Sequence, residues 1–171
     1  MSSYVAFIRG INVGGNTLVP MKQLAEVCTH TGCRNVRTFL NSGNVLFESQ
    51  QTEEELRVEL GTALREATGK EIGVIVRSTA DLERIVGGNP FTGAVPSQVG
   101  VLLVAGPVVQ EIVREFVIPG REQVVIGKRE VYIHYPDGMG RSKLKMPLSL
   151  RVGTMRNIST LKKLVRLSGK N

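Results

Sequence analysis

The sequence predicts an α+β protein built from two ferredoxin-like (split βαβ) subdomains packed into one compact unit. Three observations lead there. Apolar runs of strand length alternate with segments in which apolar residues recur every three or four positions. Across residues 4–77 these follow the order strand, helix, strand, strand, helix, strand, which is the split βαβ arrangement. From residue 79 onward a similar series begins again, with no low-complexity linker between the two. The halves are 1–78 and 79–171, the second carrying a basic C-terminal helix. Alone, each would bury roughly 60% of its unfolded surface, so the two are expected to pack together.

Each element has its own justification. Tyr4-Val5-Ala6-Phe7-Ile8 is apolar on both faces, the pattern of a central strand covered on each side. Pro20 suits the start of a helix, and Met21, Leu24, Val27 and Cys28 form one stripe before a stop at Gly32. Val36 to Leu40 and Val45 to Phe47 flank Asn41-Ser42-Gly43-Asn44, residue types that tolerate positive φ and close a hairpin. Thr52 followed by Glu53, Glu54 and Glu55 reads as a capping box, and Leu56, Leu60 and Leu64 supply a buried stripe up to Gly69. Ile72 to Val76 makes the fourth strand. In the second half the pattern predicts a short helix over 79–87, a strand over 99–104, a helix over 107–117 opened by Pro107, strands over 123–126 and 131–135, and a loop over 138–151. The last helix is expected over 156–168, with no evident final strand before it.

With 42% hydrophobic and 22% charged residues, the composition belongs to a folding chain and excludes intrinsic disorder. No window reaches the ~18 apolar residues of a membrane span, and the first twenty residues lack the pattern of a secretory leader. The expected location is therefore cytoplasmic, with no membrane partner and with Cys28 and Cys33 reduced. The formal net charge is +7, yet it is not spread along the chain. Residues 138–171 hold nine Lys or Arg and no Asp or Glu. A one-sign segment raises the local potential and recruits anions such as phosphates or nucleic acid.

Several motifs offer anion contacts. Arg9-Gly10-Ile11-Asn12-Val13-Gly14-Gly15-Asn16 joins a strand to a helix, where Arg9, Asn12, Gly14, Gly15 and Asn16 can cradle an anion near a helix N-terminus. Its spacing is neither the dinucleotide fingerprint nor the P-loop, so no cofactor is expected; a sharp connection using the glycines for positive φ fits the same residues. Ser142 and Lys143, between Arg141 and Lys145, offer a hydroxyl among cations for a phosphate grip, and a mobile surface loop explains the same residues equally well. Thr154 is positioned as a helix cap that brings Arg156 and Asn157 to free N–H groups. On the last helix Lys162, Lys163, Arg166 and Lys170 share about a 100° arc opposite Ile158, Leu161 and Leu164. Cys28, His30 and Cys33 match no zinc spacing, so no metal is expected. No nucleophile elbow or paired carboxylates mark a catalytic centre.

Taken together, Tyr4 to Asn16, Val19-Pro20-Met21, Val36-Arg37-Thr38, Ser42-Gly43-Asn44-Val45 and Ser142-Lys143-Leu144 resemble the mainly bacterial family catalogued as domain of unknown function 1697. The resemblance covers nearly the whole chain and implies two ferredoxin-like subdomains; it implies no activity. Thr154-Met155-Arg156-Asn157 is similar to a family segment, but Ile158 stands where members usually carry Trp, and Asn41 where Gln is usual.

The leading expectation is an anion-binding protein that engages nucleic acid or a nucleotide. Its contacts are Arg9 and the glycine loop, Ser142, Lys143, Arg156, Asn157, Lys162 and Arg166. The alternative is an enzyme acting on a small phosphorylated or acidic substrate in the cleft between the subdomains. Aromatic residues make up only 5% of the chain, with no Trp, which weighs against RNA recognition by stacking.

Overall fold

The computed structural model describes residues 1–10, 18–39 and 43–169. By internal packing the chain divides into two units, Met1–Leu82 with the chain from Leu164 onward, and Glu83–Lys163. Each unit holds a four-stranded antiparallel sheet, as two ferredoxin-like subdomains require.

In the first unit the order is β1 (Ser2–Ile8), α1 (Met21–His30), β2 (Arg34–Phe39), β3 (Asn44–Ser49), α2 (Glu53–Thr68) and β4 (Val74–Ser78), with the sheet running β2-β3-β1-β4. Ala6 lies opposite Val45 on one side and Val76 on the other. Because side chains alternate along a strand, Tyr4, Ala6 and Ile8 join Leu24, Cys28, Leu56, Leu60 and Leu64 in one core, while Val5 and Phe7 point to the opposite face. Both faces are buried, which is why the strand reads as an uninterrupted apolar run.

The helix ends obey local chemistry. Thr52 Oγ1 accepts from the Glu55 N–H, and the Glu55 carboxylate accepts from the Thr52 N–H, completing the capping box. At the end of α1, Gly32 takes φ +87°, so that its N–H reaches the Thr29 carbonyl and the Cys33 N–H reaches the Cys28 carbonyl. This turn also buries both cysteines, which are free thiols. Desolvation pushes Cys28 up to about 12, with the Cys33 thiol adding to the shift.

Helix α3 (Thr79–Gly87) leads into the second unit, with strands β5 (Val99–Leu103), β6 (Gln123–Ile126), β7 (Glu130–His134) and β8 (Thr154–Asn157), followed by α4 (Ile158–Ser168). The sheet order β6-β7-β5-β8 repeats that of the first unit. Two sequence expectations need correction here. A final strand is present: β8 pairs antiparallel with β5, Thr154 opposite Leu103 and Arg156 opposite Val101. It is four residues long and runs into α4 with no turn between, so no break marks it. Gly153 is needed at its entry, since a Cβ there would lie 2.8 Å from the Leu103 carbonyl oxygen.

The second correction concerns 107–117, where the expected α-helix is replaced by a 3-10 helix over Gln110–Glu115. Its bonds are three residues apart, Ile112 N–H to Val109 and Phe116 N–H to Val113. Val109 offers no capping side chain, and β-branched Val108, Val109, Ile112 and Val113 favour α-helix poorly. The segment is also tied to the hairpin, because Gln110 Nε2 donates to the Ile126 carbonyl and the Val108 N–H to the Lys128 carbonyl.

An ion pair fixes α3 on this sheet. Glu130, 1% exposed, accepts from both terminal nitrogens of Arg84 at 3.0 and 3.1 Å and from the Arg129 N–H at 2.9 Å. Beside it Tyr132 donates to the Ile85 carbonyl at 2.6 Å.

Candidate anion-binding surface

Arg9 follows β1 immediately. Its N–H donates to the Gly73 carbonyl at 2.8 Å, and its stem lies over Gly73, where a Cβ would meet Arg9 Cβ at 3.3 Å. Asn12, Gly14, Gly15 and Asn16 lie outside the described residues. Gly10, at the start of that loop, takes φ +72°, a conformation in which glycine is at ease.

Ser142 follows a 3-10 turn over Met139–Arg141. Its hydroxyl donates to Glu122 at 2.7 Å and accepts from the Leu144 N–H at 3.1 Å. Burial, reinforced by the Glu122 charge, pushes the Tyr135 phenol up to about 12. The nearest charge to the Ser142 hydroxyl is therefore a carboxylate, which sequence adjacency to Lys143 does not reveal. Lys143 itself is exposed.

Arg156 and Asn157 are consecutive on β8 and point to opposite sides of the sheet. Arg156 is half-buried, donates to the Met155 carbonyl at 2.9 Å, and is pushed by desolvation down to about 10. Asn157 is the cap of α4, its Oδ1 accepting from the Thr160 N–H at 2.8 Å. Thr154 does not cap the helix as its position suggested, because the helix starts at Ile158 and Thr154 is a strand residue opposite Leu103. Its side chain is 2% exposed, and its hydroxyl has no partner among the described residues. Ile158 is fully buried in the first turn of α4.

The rest of α4 separates cleanly by face. Leu161 and Leu164 are fully buried, whereas Lys162, Lys163 and Arg166 are exposed. At 100° per residue the three cations lie within an arc of about 100° and a rise of about 6 Å. None of them forms an ion pair or hydrogen bond among the described residues, and α4 contains no acidic residue. Its C-terminal end is held by Arg37 of β2, which donates to the Leu167 carbonyl at 2.9 Å.

Other candidate chemistry does not assemble. Among the described residues no three His, Cys, Asp or Glu side chains come together as metal ligands, and no helix is long and apolar enough to cross a membrane. An indentation lined by Ser3, Asn35, Arg37, Glu48 and Ser168 has room for about one water.

A conserved bacterial protein from Streptococcus pneumoniae has a similar solved structure, with a TM-score of 0.80, 23% sequence identity, and 98% of each chain covered. This likeness shows the fold. No curated protein matches the chain. The family model described as "Protein of unknown function (DUF1697)" matches residues 1–132, more than three quarters of the length and all of the first sheet. The two-sheet architecture and this match agree with the motifs that begin at Tyr4: the chain belongs to the DUF1697 family.

Proposed function

We propose that this protein binds anions, and that its target is the phosphate backbone of nucleic acid, held by the exposed cations of α4. One observation carries the reading: Lys162, Lys163 and Arg166 present three positive charges, without a side-chain partner among the described residues, on one face of a helix, inside a 34-residue segment without a single acidic residue. Exposed, unpaired cations are free to exchange condensed counterions for contacts to phosphate, which is the main source of sequence-independent affinity. The Ser142 region is a weaker candidate, because its hydroxyl is engaged by Glu122. Arg9 and the loop of Asn12, Gly14, Gly15 and Asn16, with Lys143, Arg156 and Asn157, are proposed as further anion contacts.

The test is charge reversal. Lys162→Glu with Arg166→Glu removes two of three contacts, which by counterion release weakens binding of a labelled random-sequence duplex on the order of a hundredfold at 50 mM salt. Circular dichroism should be unchanged, because both side chains are exposed. Unaltered affinity in the folded double variant refutes the reading. If instead a mononucleotide binds and only Arg156→Ala abolishes it, the site is a nucleotide pocket at β8.

A further inference from the structure

The burial of the aromatic residues limits what kind of nucleic acid that helix face can hold. All eight Phe and Tyr residues lie in the described part of the chain, and none is exposed. Tyr4, Phe7, Phe47, Phe116, Tyr132 and Tyr135 are buried, and Phe39 and Phe91 are half-buried, Phe91 against the His134 ring. Single-strand binders draw much of their affinity from stacking bases on exposed aromatic side chains. Nothing of the sort projects here. Base-edge readout is equally short of material on α4: Asn157, the one amide at its start, spends its oxygen on the Thr160 N–H. Among the described residues of α4, the cations exposed on the basic face are Lys162, Lys163 and Arg166.

From this we infer that the basic face of α4 is a duplex-binding surface, which takes double-stranded nucleic acid through its phosphates in preference to single strands and without regard to sequence. The inference rests on the phosphate-binding reading above and narrows its ligand class. With stacking absent, affinity comes from counterion release alone, and that gain is larger on a duplex. The logarithmic salt slope is about −0.9 per neutralised phosphate on a duplex and about −0.7 on a single strand. For three cations these slopes are about −2.7 and −2.1. With the two affinities equal at 1 M salt, where counterion release contributes nothing, the difference amounts to a preference of about sixfold at 50 mM salt. A stacking surface would reverse that order.

Competition decides it. The protein is bound to a labelled random-sequence DNA duplex at 50 mM salt and challenged with unlabelled DNA duplex, RNA duplex, each separated strand, and unstructured polyuridine. The expected result is displacement by either duplex at about one sixth of the concentration needed for any single strand, and equal displacement by duplexes of unrelated sequence. Single strands that compete as well as or better than the duplex overturn the inference while leaving phosphate binding intact. Tenfold discrimination between duplex sequences also overturns it. Failure of the labelled duplex to bind at all overturns both the inference and the reading beneath it. The Lys162→Glu, Arg166→Glu variant provides the control, since duplex binding that survives it lies elsewhere on the protein.

Discussion

Replacing Gly127 with Ala should unfasten α3 from the second sheet by displacing the Glu130 side chain that holds Arg84. Gly127 closes the β6–β7 hairpin, its N–H donating to the Glu130 carbonyl at 2.8 Å. A Cβ at this position would lie 2.7 Å from Glu130 Cδ and 2.9 Å from Cγ, closer than real side chains approach. The Glu130 carboxylate is 1% exposed and held by Arg84 and the Arg129 N–H, so it cannot retreat without giving up those bonds. Glu130 is buried but Arg84 is 36% exposed, so breaking the pair costs no more than the low end of the fully buried range, about 3 kcal/mol, and the stiffer unfolded chain of Gly→Ala returns about 0.4–1 kcal/mol. The net loss is about 2 kcal/mol, or a melting temperature lower by about 4–8 °C for a chain of this size. A double-mutant cycle by urea denaturation isolates the cause. In a Glu130→Ala background the added methyl meets no carboxylate, and Gly127→Ala should then raise stability by about 0.4–1 kcal/mol. Equal losses in both backgrounds would refute the steric argument and place the cost in the hairpin backbone.

Two more predictions concern the same unit. Desolvation raises the Glu130 carboxyl, but the Arg84 guanidinium and the Arg129 and Lys128 N–H groups outweigh it and hold the group below its usual value of 4.5. Its ionised form is thus favoured by folding, so its stabilisation is present above pH 4.5 and is lost as pH falls through the depressed value. The gap in urea midpoint between the natural protein and Glu130→Gln should therefore be wider at pH 7 than at pH 3; a constant gap contradicts this. Thr154→Val replaces a buried, unpartnered hydroxyl by a methyl of the same shape, and should raise stability by about 1 kcal/mol. A lower urea midpoint for that variant would show that the hydroxyl is bonded in solution.

How far the residues announce this structure depends on whether a signal is local. Thr52 with Glu55, Gly32 and Gly69 act on their own helix ends, and the leucines of α2 recur at helical spacing, so the first sheet and its helices are legible. What escapes is set by partners distant in the chain. β8 is a strand because Thr154 to Asn157 find β5 about fifty residues earlier, and its composition of Thr, Met, Arg and Asn carries no alternating apolar pattern. The 3-10 helix at 110–115 answers to the hairpin it is bonded to, as well as to its own β-branched residues. The same holds for the candidate site. The charge asymmetry and the Lys162, Lys163, Arg166 stripe are visible from spacing alone. The Glu122 carboxylate on Ser142, the buried Thr154 hydroxyl and the half-buried Arg156 depend on which strands lie together. No motif of one or two residues encodes them.

The salt dependence of duplex affinity for the natural protein between 50 and 200 mM reports how many cations of α4 meet phosphate. If Lys162, Lys163 and Arg166 each neutralise one phosphate, the logarithmic slope is about −2.7, and the association constant falls about fortyfold across that range. For Lys162→Glu with Arg166→Glu the slope should flatten to about −0.9 or binding should vanish. Affinity that is independent of salt, or a slope that the double variant leaves unchanged, would contradict the assignment of α4 as the phosphate-binding surface.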